Sequence, residues 1–370
     1  MDSFRVAHAS GESWGLCAKS CVAQLGSTAG ANLGFVYATD RFAGDLSSIL
    51  TFLRETTGVE HWVGTVGLGI VVTGKEYFDA PALAVMVASL PERTFRVFPS
   101  ITRDLDQFRA DNGAWLDAAQ PAFGIVHADP RNPRMPTLLS TLAAETAAFL
   151  VGGLTSSRGG YEQVADRVVD GGISGVLFSA EVGVASGLTQ GCSTIGPVRR
   201  VTSGEENVMF ELDGQPALDA LMADAGESSL QGLARAAGTL HAAIPVEGSD
   251  TADYLVRNLV GIDPERGWVA IGDRVSVGDR ITFCRRDGEA ARDDLDRMLR
   301  HLKGRVSDRP KAGVYYTCVA RGPNLFDPDS EELGRIRTEF GDIPVIGFFC
   351  NGEISHNRLY GYTGVLALFL

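Results

Sequence analysis

The sequence predicts a mixed α/β (α+β) protein of two domains, with mixed sheets flanked by helices and built from repeated β-α-β-loop-β units. Three observations carry this prediction. Two glycine-marked segments echo one another: Trp62-Val63-Gly64-Thr65-Val66-Gly67-Leu68-Gly69 aligns with Val345-Ile346-Gly347-Phe348-Phe349-Cys350-Asn351-Gly352. Each follows an apolar strand and a helix, and each precedes at equal distance an apolar run, ALAVMV from Ala82 and VLALFL from Val365. A fainter third echo runs from Phe123 (FGIVHAD) through a helix over 137–148 to Phe149-Leu150-Val151-Gly152. Such internal similarity fixes architecture before any single element does.

At 370 residues the chain exceeds one ordinary domain, and a division into 1–200 and 201–370 is expected. Its composition, 45% hydrophobic and 21% charged, suits a globular protein with a sizeable core. A formal charge of −13 argues against a nucleic-acid partner, since nothing offsets phosphate repulsion. No apolar run approaches a membrane span. The opening MDSFRVAHAS lacks an apolar signal core, so a cytoplasmic location is expected. The six cysteines sit mostly inside apolar runs, as reduced, buried thiols do.

Taken in order, a strand at 4–9 leads into a helix over 12–24, where Trp14, Cys17, Ala18, Cys21, Val22 and Leu25 recur at helical spacing. A helix over 45–56 presents Leu46, Ile49, Leu50 and Leu53 and stops at Gly58. Helical pieces over 103–119 precede the Phe123 unit. The glycine- and serine-rich stretch 151–196 holds a strand at 175–179. Its loop with Gly191, Ser193, Thr194 and Gly196 either turns tightly or lets backbone approach a ligand. Polar SGEEN near 202–207 marks the domain boundary. Beyond it come a strand at 208–212, helices over 216–225 and 228–240, and strands at 253–260, 268–271 and 280–285 that read as an antiparallel meander. A helix over 289–302 turns Ala291, Leu295, Met298 and Leu302 inward before the closing unit.

Several motifs point to chemistry, and each has a structural alternative. Gly69 to Lys75 matches a phosphate loop up to its lysine, but Glu76 replaces the hydroxyl and the β-branched middle favours a strand. Gly11-Glu12-Ser13-Trp14-Gly15 fits a nucleophile elbow, which would make Ser13 a hydrolase nucleophile; the alternative is a helix cap. Cys17 and Cys21, one turn apart, either form a metal or redox pair or are two core thiols. In the closing segment an apolar strand at 343–350 is followed by a loop carrying Asn351, Gly352, Glu353, Ser355, His356 and Asn357. Cys350, Glu353 and His356 there either form a thiolate site or leave Cys350 to the core. His241 ends a helical stripe with Leu230, Leu233, Ala234 and Ala237; it is either a core histidine or an axial ligand for haem. Arg257, Asn258 and Arg321 lie in or just after strands, where arginine suits a carboxylate or an internal ion pair.

These segments resemble the FIST family, the paired N- and C-terminal FIST domains of bacterial sensory proteins. CVARG at 318–322, IGFFCNGEIS at 346–355 and the closing YTGVLALFL carry the resemblance best. LTQGCSTIGP at 188–197, ELDGQPALDAL at 211–221, YLVRNLVGID at 254–263 and FCRRD at 283–287 add to it. The N-terminal copy of the family's GEI motif is degraded, with Ile70 where glutamate is expected, so Glu353 is its sole acidic carrier. The resemblance implies a non-enzymatic module that senses a small ligand, often held to be amino-acid-like, and passes a signal to a separate histidine kinase or cyclase. It also raises a haem-binding nitric-oxide sensor, with His241 on the iron. Residue chemistry suggests that Arg257 or Arg321 takes an acidic group, while Asn351 and Glu353 take a cationic or hydroxyl group.

Overall fold

The computed structural model describes residues 3–248 and 253–370, which form two compact units. One comprises residues up to 189 with 295–359 and 363–370; the other comprises 190–294 with 360–362. The chain thus leaves the first unit at Gln190 and rejoins it at Leu295, so one cut near residue 200 does not coincide with the compact units.

The first unit contains three copies of one module. Each copy centres on a parallel strand pair: Leu33–Thr39 with His61–Gly67, Pro121–Ala128 with Phe149–Leu154, and Ala312–Cys318 with Val345–Cys350. A helix joins each pair: Leu46–Thr57, Met135–Thr146 or Glu331–Phe340. An antiparallel strand lies on the other side of the first strand: Ala82–Ser89, Ile173–Ser179 or Thr363–Phe369. The expected repeats are therefore present, and the faint third echo is a full copy. The inner strands are buried on both faces, so they read as continuous apolar runs and not as alternating ones.

One glycine recurs in each copy for a steric reason. Gly64, Gly152 and Gly347 stand opposite Val36, Val126 and Tyr315. A Cβ there would fall 1.7, 1.8 and 1.7 Å from the facing carbonyl oxygen. The next residue along each first strand is Tyr37, His127 and Tyr316, and all three are fully buried. Their side chains meet: the Tyr37 hydroxyl lies 2.9 Å from His127 Nε2 and 2.9 Å from the Tyr316 hydroxyl. They lie among Phe35, Phe123, Ile125, Phe348 and Phe369, a core shared by all three sheets. Helices cover the outer sheet faces through residues such as Cys17, Cys21, Ile49 and Leu53 in the first copy.

After each glycine strand the chain crosses to a different sheet. Gly69–Val72 pairs with Val345–Cys350, Glu353–Ser355 pairs with Phe149–Leu154, and Gln163–Ala165 pairs with His61–Gly67. Each copy thus lends a strand to another, in a closed cycle. The segment 351–357, expected as a loop, is largely part of such a hairpin, with strands Glu353–Ser355 and Arg358–Tyr360. Gly69–Val72 is a strand, as its β-branched residues require.

The second unit is a closed antiparallel barrel. Arg280–Arg286 pairs with Arg199–Glu205, and pairing continues through Val208–Leu212, Trp268–Ile271, Tyr254–Asp263 and Leu240–Pro245 back to Arg280–Arg286. Leu212, Val269, Ile271 and Phe283 fill its core with Leu218 and Leu221 from helix Ala217–Ala225. The expected meander is corrected here, because the ring closes through Leu240–Pro245 and Arg199–Glu205 on either side of Arg280–Arg286. The polar boundary at 202–207 is mostly strand, and the small-residue loop at 191–196 contains the strand Cys192–Thr194. The helix expected over 228–240 ends at Ala236, and His241 lies in strand Leu240–Pro245. Gly238 and Thr239, both poor helix formers, separate the two. Among the described residues no helix is long and apolar enough to cross a membrane.

Candidate ligand site

Strand Ala312–Cys318 and the turn after it carry Arg321 into the interior of the first unit, where it is fully buried. A buried guanidinium needs a partner, and helix Glu331–Phe340 supplies one in Glu332. Arg321 Nε and Nη2 donate to Glu332 Oε1 at 3.0 and 2.8 Å. The Tyr315 hydroxyl donates to the same oxygen at 2.6 Å, and the Gly322 amide donates to Oε2 at 2.9 Å. The guanidinium also stands 5.0 Å from the Phe326 ring centroid. Its Nη1 is buried without a partner among the described residues.

Glu353 is fully buried in the strand that pairs with Phe149–Leu154. Its Oε2 accepts from the Thr363 amide at 3.1 Å and the Thr363 hydroxyl at 2.8 Å. Its Oε1, like Arg321 Nη1, is buried and meets no geometric hydrogen-bond partner among the described residues, although the Cys318 thiol also acts on this carboxyl. Burial pushes the Glu353 carboxyl up to about 8, although Thr363 and the Arg321 charge pull the other way. The Arg321 field therefore reaches Glu353. Glu76 is likewise pushed up to about 8, by burial and then by the charge on Glu332. Burial thus raises both the Glu353 and the Glu76 carboxyl, while the Arg321 charge acts to lower each.

The other expected residues divide. Cys350 is fully buried and burial raises its thiol well above the ordinary range, so it is a core residue and not a poised nucleophile. Asn351 is exposed. His356 is also exposed, at the positive-φ turn of the hairpin, with its ring stacked on Phe149 at 5.4 Å. In the second unit, Arg257 Nε donates to Asp273 at 2.7 Å, and Asn258 Oδ1 accepts from the Tyr362 hydroxyl at 2.8 Å. His241 stands opposite Asn258 in the ladder. Burial, followed by the Arg286 charge, lowers its imidazole to about 4.

This neutral imidazole is presented from strand Leu240–Pro245 and not from the end of a helix. The ring of Tyr362 lies 4.4 Å from that of His241, tilted by 38°. The helix carrying the stripe that singled it out ends at Ala236, short of the histidine. Ser13 has the ordinary extended backbone of a cap, φ −103° and ψ 112°, and accepts from the Leu16 amide at 3.4 Å. That is the cap geometry and not the strained turn of a nucleophile elbow. Sequence reasoning missed Glu332, Thr363 and the central Tyr37–His127–Tyr316 contact. The last three lie 27, 25 and 31 residues before their glycines, so only the strand register aligns them.

The profile described as the FIST N domain matches residues 32–215, and that described as the FIST C domain matches 217–356. Uncharacterized protein Rv0628c of Mycobacterium tuberculosis is 32% identical over 331 residues, covering 83% of each chain. Uncharacterized protein Mb0898c of Mycobacterium bovis is 30% identical over 366 residues, covering 91% of this chain and 89% of its own.

Proposed function

Because the chain belongs to the FIST family, whose domains are sensory small-ligand-binding modules, we propose that it binds a small zwitterion, amino-acid-like in its charges, and signals through a separate partner such as a histidine kinase or cyclase. The observation that carries this reading is the pair of buried atoms Arg321 Nη1 and Glu353 Oε1, which have no hydrogen-bond partner among the described residues. A ligand carboxylate answers the first and a ligand ammonium the second. Such a pair is costly in an empty interior and favourable once filled. Arg257, already engaged by Asp273, is the weaker choice for the carboxylate. Since both atoms are buried, entry requires the hairpin that carries Glu353 to open, and that movement is what a partner would read. Six free cysteines accord with a cytoplasmic setting.

Calorimetry against the amino acids tests the proposal. An ammonium entering beside Glu353 must expel its proton, so affinity should rise between pH 6 and 8 and the heat should vary with the buffer's ionisation enthalpy. Glu353→Gln should abolish both dependences and weaken binding at least tenfold. Binding that is indifferent to pH, and unchanged in both Glu353→Gln and Arg321→Lys, would remove these residues from the site.

A further inference from the structure

The barrel carries two thiols whose placement serves no packing need already described. In strand Arg280–Arg286, Ile281 and Phe283 face the barrel core, and Cys284 faces the other way. There it packs in a small cluster with Cys192, Ala243 and Val256. Thr194 stands opposite Cys284, and Cys192 stands opposite Arg286, so the two cysteines are diagonal neighbours on one face. Both are buried, Cys192 with 5% of its surface exposed and Cys284 with none. On its other side Cys284 faces His241 in the ladder. Of the remaining thiols, Cys318 stands directly opposite Cys350 on a parallel strand, and the two are the competing pair. Cys17 and Cys21 each donate to a backbone carbonyl, of Gly11 and Leu83, and Cys350 donates to that of Phe348.

We propose that Cys192 and Cys284 form a redox-active pair that closes to a disulfide when the protein meets a peroxide. Cys192 is the attacking sulfur, because it retains a little exposure to solvent whereas Cys284 has none. The Cys192 sulfur attacks one oxygen of hydrogen peroxide and the O–O bond breaks. Cys192 becomes a sulfenic acid, and its proton leaves with the departing oxygen as water. The Cys284 sulfur then displaces the sulfenic hydroxyl, which takes the Cys284 proton and leaves as a second water. The two sulfurs lose two electrons and the peroxide gains them.

Diagonal strand neighbours begin with Cβ atoms farther apart than the ~3.5–4.5 Å a disulfide spans. One strand must therefore move. Cys192–Thr194 is the one suited to it, being three residues long and at the end of its sheet path. Oxidation would draw this short strand along its neighbour, a change separate from any ligand at Arg321 and Glu353.

Peptide mapping of the full-length protein tests the assignment. The native protein is treated with hydrogen peroxide, its remaining thiols are blocked with iodoacetamide in denaturant, and tryptic fragments are weighed. The expected result is a dithiothreitol-reversible cross-link between the Cys192 peptide and the peptide Ile281–Arg285, lighter by two hydrogens, as the main oxidised product. Cys192→Ser and Cys284→Ser should each abolish it, and Cys192→Ser should also abolish dimedone capture of a sulfenic acid. Full alkylation of Cys192 and Cys284 after peroxide overturns the proposal. So does oxidation whose main product joins Cys318 to Cys350, or a cross-link that forms equally in urea.

Discussion

Replacing Gly347 with alanine tests the architecture most directly. An added Cβ would lie 1.7 Å from the Tyr315 carbonyl oxygen. Carbon–oxygen contacts settle at ~3.3 Å, so the two parallel strands must separate locally by roughly 1.6 Å. That opening stretches the flanking ladder hydrogen bonds beyond use, and each buried group so stranded costs ~1–3 kcal/mol. With two bonds lost, the expected destabilisation is about 4 kcal/mol. Gly64→Ala and Gly152→Ala meet the same obstruction at 1.7 and 1.8 Å and should cost about as much. Gly113→Ala is the matched control. It lies within helix Asp106–Ala119 with nothing within 4 Å of an added Cβ, and should stabilise by ~0.5–1 kcal/mol. Urea denaturation followed by intrinsic fluorescence and circular dichroism gives the midpoints. Unfolding of the three strand variants at the wild-type midpoint, or losses no larger than those of a surface change, would refute the reasoning.

Glu332→Gln should destabilise by ~3–5 kcal/mol, because it strands the buried Arg321 charge, whereas Arg321→Met with Glu332→Leu should recover much of that loss; denaturant midpoints decide. Glu353 and Glu76 keep protons in the folded state that the unfolded chain releases above the ordinary carboxylate range. Their contribution to stability is therefore complete below that range and is lost as pH rises through about 8. Melting temperature should accordingly fall from pH 6 to 8.5, and less steeply in Glu353→Gln; parallel slopes would contradict this. Tyr316→Phe should cost ~1–1.5 kcal/mol by removing one hydroxyl from the buried central contact, read from the same denaturation curves.

The parts of this molecule legible in its sequence are those that repeat. Glycines forced by a facing carbonyl, followed by fully buried strands, leave a pattern that survives divergence, so Gly64 and Gly347 could be aligned directly. Gly152 was harder to see, because its hairpin strand Gln163–Ala165 lies beyond the irregular SSRGG stretch. The third copy is harder still to delimit: the chain makes an entire barrel between strand Val184–Gln190 and helix Gly288–Arg305. His241 was misplaced because Leu230, Leu233, Ala234 and Ala237 do lie at helical spacing, while Gly238 and Thr239 end the helix before it reaches the histidine. The strand Glu353–Ser355 is too short, and too polar, to show alternation. The pairing of Arg321 with Glu332 across separate elements leaves no trace in local spacing at all.

The exchange of hairpins among the three modules sets the number of modules. In a solenoid each repeat leans on its neighbours, and copies can be added at either end. Here each glycine strand receives its outer partner from a different module, and the third donation returns to the first. Removing one module would strip a donated strand from another and leave a bare edge of amides and carbonyls. A fourth would have no edge left to occupy. The chain can therefore diverge within its copies or take on a barrel between two strands, but it cannot grow or shrink by whole repeats.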